Sequence, residues 1–360
     1  MASEQDKAPI HSLTTTRAFA AILVFIHHVG GSVLPFALLP ALFHIGNIAV
    51  GYFFVLSGFV LYISYQGRKI DYTNYLKKRI ARILPIYLVA LMLTIIAFVY
   101  YYDYKILSDR GIAEIVLSAL CLQSFIPTYP LVLNFPGWSI GSELFFYMLF
   151  PAFLLLQTRN TGLFVVLTLL LYTVAQFVHL SFAPIKNTLS DNIVDFIYFN
   201  PLMHLSQFLF GMLGGYLFRK YTIRIQQYRI LPFLFFVVVL AVIAFRPNHI
   251  SFQVGLIAPF FMILILLTAK YNPKLLNLRP LVFLGEISYG LYILQHPVYT
   301  FLDHLNNSSL HLPANLFFYA SLSTLIAIAT ITYYAIEIPF RKLAAGKKQT
   351  QHASPQSGAE

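Results

Sequence analysis

The stretch from Ala314 to Ile336 contains no Asp, Glu, Lys or Arg. As a helix rising 1.5 Å per residue it is long enough to cross the ~30 Å hydrocarbon core of a bilayer. Leu163 to Leu180 and Leu231 to Phe245 are nearly as long and equally apolar. Backbone groups in hydrocarbon must satisfy one another, which restricts such segments to helices or closed barrels, and uninterrupted apolar runs favour helices over alternating strands. The composition agrees: 58% of the residues are hydrophobic and 10% charged, against about a quarter charged in soluble domains. The expected architecture is an all-α, polytopic transmembrane bundle.

Basic residues orient it. With the N-terminus in the cytoplasm, spans fall near 13–34, 46–65, 79–101, 138–157, 161–180, 198–218, 230–246, 250–269, 281–301 and 314–336, which is ten, with both termini inside. Sixteen Lys and Arg of the loops and the C-terminal tail then lie inside and four, Lys105, Arg110, Lys186 and Arg246, outside, as the cytoplasmic bias of basic residues requires. The apolar segment 112–126 is short, and letting it span would reverse every later loop, so it is expected to be re-entrant or interfacial on the outer side. The chain divides into a cytoplasmic tail (1–12), a membrane domain (13–342) and a disordered cytoplasmic tail (343–360). The first apolar stretch holds Arg17, His27 and His28 and follows almost no net positive charge, so it is expected to stay as a helix rather than serve as a signal peptide. The net charge of +11 is explained by the same bias and does not call for nucleic acid. Cys121 is the single cysteine, which excludes an internal disulfide and a Cys-rich metal site; no metal is expected.

Arg17 and His28 are eleven residues apart in the first span, so they share one helix face at points about 16 Å apart along the axis. A cation and an imidazole are costly in hydrocarbon, and their common stripe predicts one polar cavity inside the bundle. Arg79 and Arg82 sit one turn apart at the cytoplasmic boundary, where guanidinium forks suit phosphate, although stop-transfer charge or lipid headgroup contact would use the same pair. Ser139, Glu143 and Tyr147 recur at intervals of four. Glu143 needs a partner, either Arg17 in an ion pair or an imidazole that it orients. Ser288, Tyr289, Tyr292 and His296 follow in the ninth span, with His296 a candidate substrate contact and Glu286 and Glu337 mostly architectural. His27 points away from Arg17 and is expected to pack. The glycines of GYFFVLSGF (51–59) permit either close helix packing or substrate approach.

Taken in order, RAFAAILVFIHH, FFVLSGF, KKRIARILPIY, WSIGSELFFYMLFP, LGEISYGLYILQHP and the late EIPFRK resemble acyltransferase family 3, the multi-pass membrane acyltransferases, from about Leu13 to Lys342. The resemblance implies transfer of an acyl group, commonly acetyl from acetyl-CoA, to a hydroxyl of a surface or exported glycan. It implies roles for Arg17 and His28, for the paired Arg79 and Arg82, and for Glu143 and Tyr147. Some members carry an extra span and an extracytoplasmic esterase-like domain. Here the chain ends soon after Arg341 and looks like the minimal form.

On that reading His28 is the general base, Glu143 stabilises its imidazolium, and Arg17, Arg79 and Arg82 hold the donor phosphates. Ser139, Tyr147, Tyr292 or backbone N–H groups would stabilise the oxyanion, and Ser139 or His28 could carry the acyl group if transfer is not direct. Expected partners are membrane lipids, acyl-CoA as a co-substrate rather than a tightly bound cofactor, and a glycan or lipid-linked sugar, in the cell membrane. A secondary transporter or a flippase would share the ten helices and the buried ionisable residues. The absence of an internal repeat weighs against the transporter, and neither needs a base aligned with phosphate-binding arginines.

Overall fold

A computed structural model describes residues 10–30, 33, 46, 48–221, 231–244 and 252–345. No strand occurs among them. The helices are α1 (His11–Val29), α2 (Ile48–Tyr65), α3 (Tyr72–Tyr102), α4 (Asp109–Ala119), α5 (Trp138–Arg159), α6 (Thr161–Phe182), α7 (Asp191–Phe199), α8 (Pro201–Lys220), α9 (Leu231–Ala244), α10 (Ala258–Tyr271), α11 (Arg279–Glu286), α12 (Ser288–Leu305), α13 (Ala314–Thr332) and α14 (Ile338–Ala345). Among the described residues six helical stretches, His11–Val29, Ile48–Tyr65, Tyr72–Tyr102, Phe135–Arg159, Thr161–Thr188 and Ala314–Ala345, are long and apolar enough to cross a membrane. The protein is therefore a multi-pass membrane protein. Residues 1–9 and 346–360, and with them most of both expected tails, lie outside the described residues, as do Arg224, Arg229 and Arg246.

The ten-span expectation departs from this for identifiable reasons. The sixth span, α8, is long enough but buries His204, Ser206 and Gln207. Two of these polar groups pair inside the protein: Gln207 Nε2 donates to His204 Nδ1 at 2.9 Å, and His204 Nε2 to the Tyr198 carbonyl at 3.0 Å. The eighth span shortens to α10, and the ninth breaks at Ile287 into α11 and α12. At that break Gly285 lets the Thr14 carbonyl of α1 approach closer than any Cβ would allow. Segment 112–126 does not cross. It forms the amphipathic α4, followed by a loop that enters the bundle: Tyr87 Oη donates to the Ser118 carbonyl (2.7 Å), Gln123 Nε2 to Tyr87 Oη (3.2 Å) and Asn134 Nδ2 to the Ile293 carbonyl (3.2 Å).

Prolines prepare one of these contacts and a similar one between α3 and α5. Pro297 lacks the N–H that would occupy the Ile293 carbonyl within α12, and Asn134 takes its place. Pro151 likewise frees the Tyr147 carbonyl of α5, which accepts from Tyr75 Oη at 3.1 Å. Helices α2 and α8 also pack closely, with Gly58 facing the Phe208 carbonyl and Gly211 the Val55 carbonyl and no room for a Cβ at either. The GYFFVLSGF glycines thus serve packing.

Candidate active site

Two cavities lie along α1. The first is narrow, about 50 Å³, and is lined by Arg17 of α1, Phe53 of α2, Arg82 and Ile83 of α3, Ser139 and Glu143 of α5, and Ser288, Tyr289 and Tyr292 of α12. Predicted site residues from four helices far apart in sequence meet here: Arg17, Arg82, Ser139 with Glu143, and Tyr292. Arg82 is also within electrostatic reach of Arg341 and Arg79. Arg341 arrives from α14 because the last long helix takes a π turn at Tyr333–Glu337, which re-aims the residues that follow. Within that turn, buried Glu337 accepts from Arg341 Nη2 at 2.6 Å and faces Arg82 and Arg17.

Four guanidinium groups therefore gather against Glu143, Glu337 and, beyond Tyr333, Glu286, so cations outnumber carboxylates. The Nε atoms of Arg17, Arg79 and Arg341 are buried without a hydrogen-bond partner. Buried donors of this kind usually have an acceptor, and here an anionic ligand would supply it. Arg79 stands apart from the cavity wall. Its Nη2 donates to Tyr65 Oη at 3.2 Å, and its guanidinium lies 5.4, 5.8 and 5.9 Å from the ring centres of Tyr65, Tyr75 and Tyr147. Glu143 accepts from Tyr147 Oη and, at 3.3 Å, from Ser57 Oγ.

The second cavity, about 580 Å³, is lined by His28, Phe98, Tyr102, Phe135, Pro136, Gln295, His296, Tyr299 and Asp303 among others. His28 is exposed on its wall, and His28 Nδ1 lies 3.3 Å from Gln295 Oε1. His296 is held between the rings of Phe135 (4.3 Å) and Phe98 (5.8 Å), with its Nδ1 buried and without a partner.

A hydrogen-bonded wall separates the two. Ser139 Oγ and Tyr292 Oη lie 2.9 Å apart, and both reach the Pro136 carbonyl, at 2.9 and 3.3 Å. On the far side Gln295 Nε2 donates to the Tyr292 carbonyl at 2.7 Å. Among the described residues the cavities share no lining residue. The single hydrated tunnel expected for Arg17 and His28 is therefore two chambers on one helix. Glu143 is likewise not brought to His28: it opens onto the first chamber with Tyr147 and Ser57 as partners, while the partner of His28 is Gln295. Ser139 and Tyr292 stand in the wall, Tyr147 behind the first chamber, and His296 beside His28 in the second. Sequence reasoning missed Gln295 and Arg341. A lone amide in the apolar run LYILQHP was the available signal for the first, and the redirecting π turn hid the second. Among the described residues no group of three or more His, Cys, Asp or Glu could hold a metal ion.

A family model described as an acyltransferase domain matches residues 10–333. Among curated proteins, the putative acetyltransferase ORF330 of Acidianus two-tailed virus is 26% identical over 285 residues, covering 77% of this chain and 79% of its own length. Acyltransferase MdmB of Streptomyces mycarofaciens is 34% identical over 148 residues, covering 39% of this chain and 38% of its own. O-acetyltransferase OatA of Staphylococcus aureus is 24% identical over 375 residues, covering 91% of this chain and 56% of its own. The chain thus spans little more than half of OatA. No solved structure matches it.

Proposed function

This chain belongs to the acyltransferase family and is a transferase of acyl groups other than aminoacyl groups; from that premise we propose that it is an O-acyltransferase of the cell membrane, moving acetyl from acetyl-CoA to a hydroxyl of a surface or exported glycan. Acetyl as the group moved and oxygen as the atom that receives it are suggested by the names of its relatives. The two-chamber arrangement on α1 is the observation that carries the reading.

The cation excess around Arg17 and Arg82, with Arg341 behind them, suits the phosphates of the donor. His28 lies about 16 Å further along the same helix, a span suited to the donor's extended thioester arm once the Ser139–Tyr292 wall parts. The second chamber receives the acceptor. Its rings offer faces to a sugar, and Asp303 offers an acceptor to its hydroxyl groups. His28 takes the proton of the attacking hydroxyl as the new C–O bond forms at the thioester carbon. The tetrahedral oxyanion, stabilised by Ser139 and Tyr292 hydroxyls, collapses with cleavage of the C–S bond, and the imidazolium returns its proton to the departing thiolate. The orientation that fits this path is ten crossings with both termini in the cytoplasm and the arginines toward the cytosol.

The test uses the full chain in liposomes with labelled acetyl-CoA and glycan acceptors. His28→Ala is expected to lower transfer by at least a hundredfold while the protein still folds and inserts. Near-normal turnover would remove His28 as base, and substrate uptake without transfer would return the transporter reading. Mass spectrometry of surface glycans from cells with and without the chain identifies both the acceptor and the group added.

A further inference from the structure

The assignment of a proton at His28 follows from hydrogen-bond chemistry alone. Gln295 is 2% exposed, and one end of its amide meets the backbone carbonyl of Tyr292 at 2.7 Å. A backbone carbonyl can only accept, so that end is the NH2 and the other is the oxygen. The oxygen, which also can only accept, faces His28 Nδ1 at 3.3 Å. Nδ1 must therefore carry the hydrogen. A neutral imidazole has one N–H, so the lone pair resides on Nε2.

We propose that Gln295 is a positioning residue, which holds His28 in the Nδ1–H tautomer and leaves Nε2 as the basic nitrogen for the second chamber. The inference deepens the reading of His28 as general base and rests on it for its catalytic meaning. The partner is an amide rather than a carboxylate. It fixes the tautomer and ring orientation without adding a charge that would hold the proton on the imidazolium, so the proton remains easy to pass to the departing thiolate. The Ser139–Tyr292 wall and the base are also joined through one residue, because Gln295 grips the Tyr292 carbonyl at one end and His28 at the other. Among the described residues the other titratable groups near the ring are His27 on its own helix, His296, Tyr299 and Asp303 on α12, and Tyr102 on α3; the hydrogen-bond partner of Nδ1 is Gln295.

Nitrogen-15 NMR of the histidine-labelled full chain in nanodiscs tests this directly, with the His28 resonances identified by their loss in His28→Asn. In the neutral ring the expected signals are a protonated Nδ1 and an unprotonated Nε2, and in Gln295→Leu a mixture of tautomers. A protonated Nε2 in the wild type would overturn the proposal whatever the activity. In transfer assays Gln295→Leu is expected to lower kcat about tenfold or more with the KM for acetyl-CoA unchanged. Gln295→Glu adds a carboxylate that favours the imidazolium, so the acid limb of the kcat/KM profile is expected to move up by about one pH unit. A merely structural role would leave that limb unmoved, and an unmoved limb in a folded, active Gln295→Glu protein would overturn the proposal. If His28→Ala retains transfer, the base reading falls, while the NMR result still decides the tautomer.

Discussion

Arg79 and Arg82 illustrate how two residues of one motif come to do different work. Spacing placed both at the mouth of a donor site, and only Arg82 lines the first chamber, while Arg79 is enclosed by three tyrosine rings and hydrogen-bonded to Tyr65. Arg82→Ala is accordingly expected to raise the KM for acetyl-CoA about tenfold or more, the size of a lost charge-assisted hydrogen bond, with little change in melting temperature. Arg79→Ala is expected to lower the melting temperature by several degrees, through the loss of about 1–2 kcal/mol of cation–π and hydrogen-bond energy. Donor kinetics and thermal melts on the two variants separate them, and equal KM effects would contradict this division. At this scale the ionisable residues were legible because charge in an apolar run needs a reason. Gln295 was not, since a neutral amide carries no comparable cost and its meaning depends on the ring across from it.

Elements were legible where an apolar run was long and obscure where packing interrupted it. Nothing in GYFFVLSGF distinguishes a packing glycine from a substrate-facing one. Only the approach of α8 does so, bringing the Val55 carbonyl against Gly211 and the Phe208 carbonyl against Gly58. Gly211→Val is therefore expected to abolish accumulation of folded protein, whereas Gly162→Ala, exposed in the first turn of α6, is expected to be neutral or to stabilise by about 0.5 kcal/mol; expression yield and melting temperature read both. The loop after α4 shows the opposite lesson. Its shortness revealed that it does not cross, but its descent into the bundle depends on tertiary hydrogen bonds from Tyr87, Gln123 and Asn134. Thr128 in this loop is exposed and holds φ at +73°, a strained conformation for a β-branched residue. Its backbone N–H bonds to Asp195 Oδ2 at 2.7 Å, a contact that glycine retains. Thr128→Gly is expected to raise the melting temperature by about 2 °C.

For the whole molecule, the sequence reveals membrane residence and an all-helical build almost completely, because both follow from apolar length. The count of crossings is less legible. Helices such as α8, α10 and the broken α11–α12 bury polar groups or bend, and these interior features erase the apolar signal that a lipid-facing helix keeps. The orientation makes a definite prediction: α3 connects Arg68 to Arg110 by one long apolar helix, so these exposed positions should lie on opposite faces. With Cys121, which is buried, replaced by serine, Arg68→Cys is expected to react with a membrane-impermeant maleimide only from the cytoplasmic side and Arg110→Cys only from the other. The partition between the chambers, finally, bears on wastage. A donor seated among the arginines would have its reactive carbonyl kept from bulk water until the Ser139–Tyr292 pair is prised apart. If arrival of the sugar is what opens it, idle hydrolysis of acetyl-CoA should be slow, and breaking that latch with Tyr292→Phe should raise the share of thioester lost to water relative to that passed to the sugar.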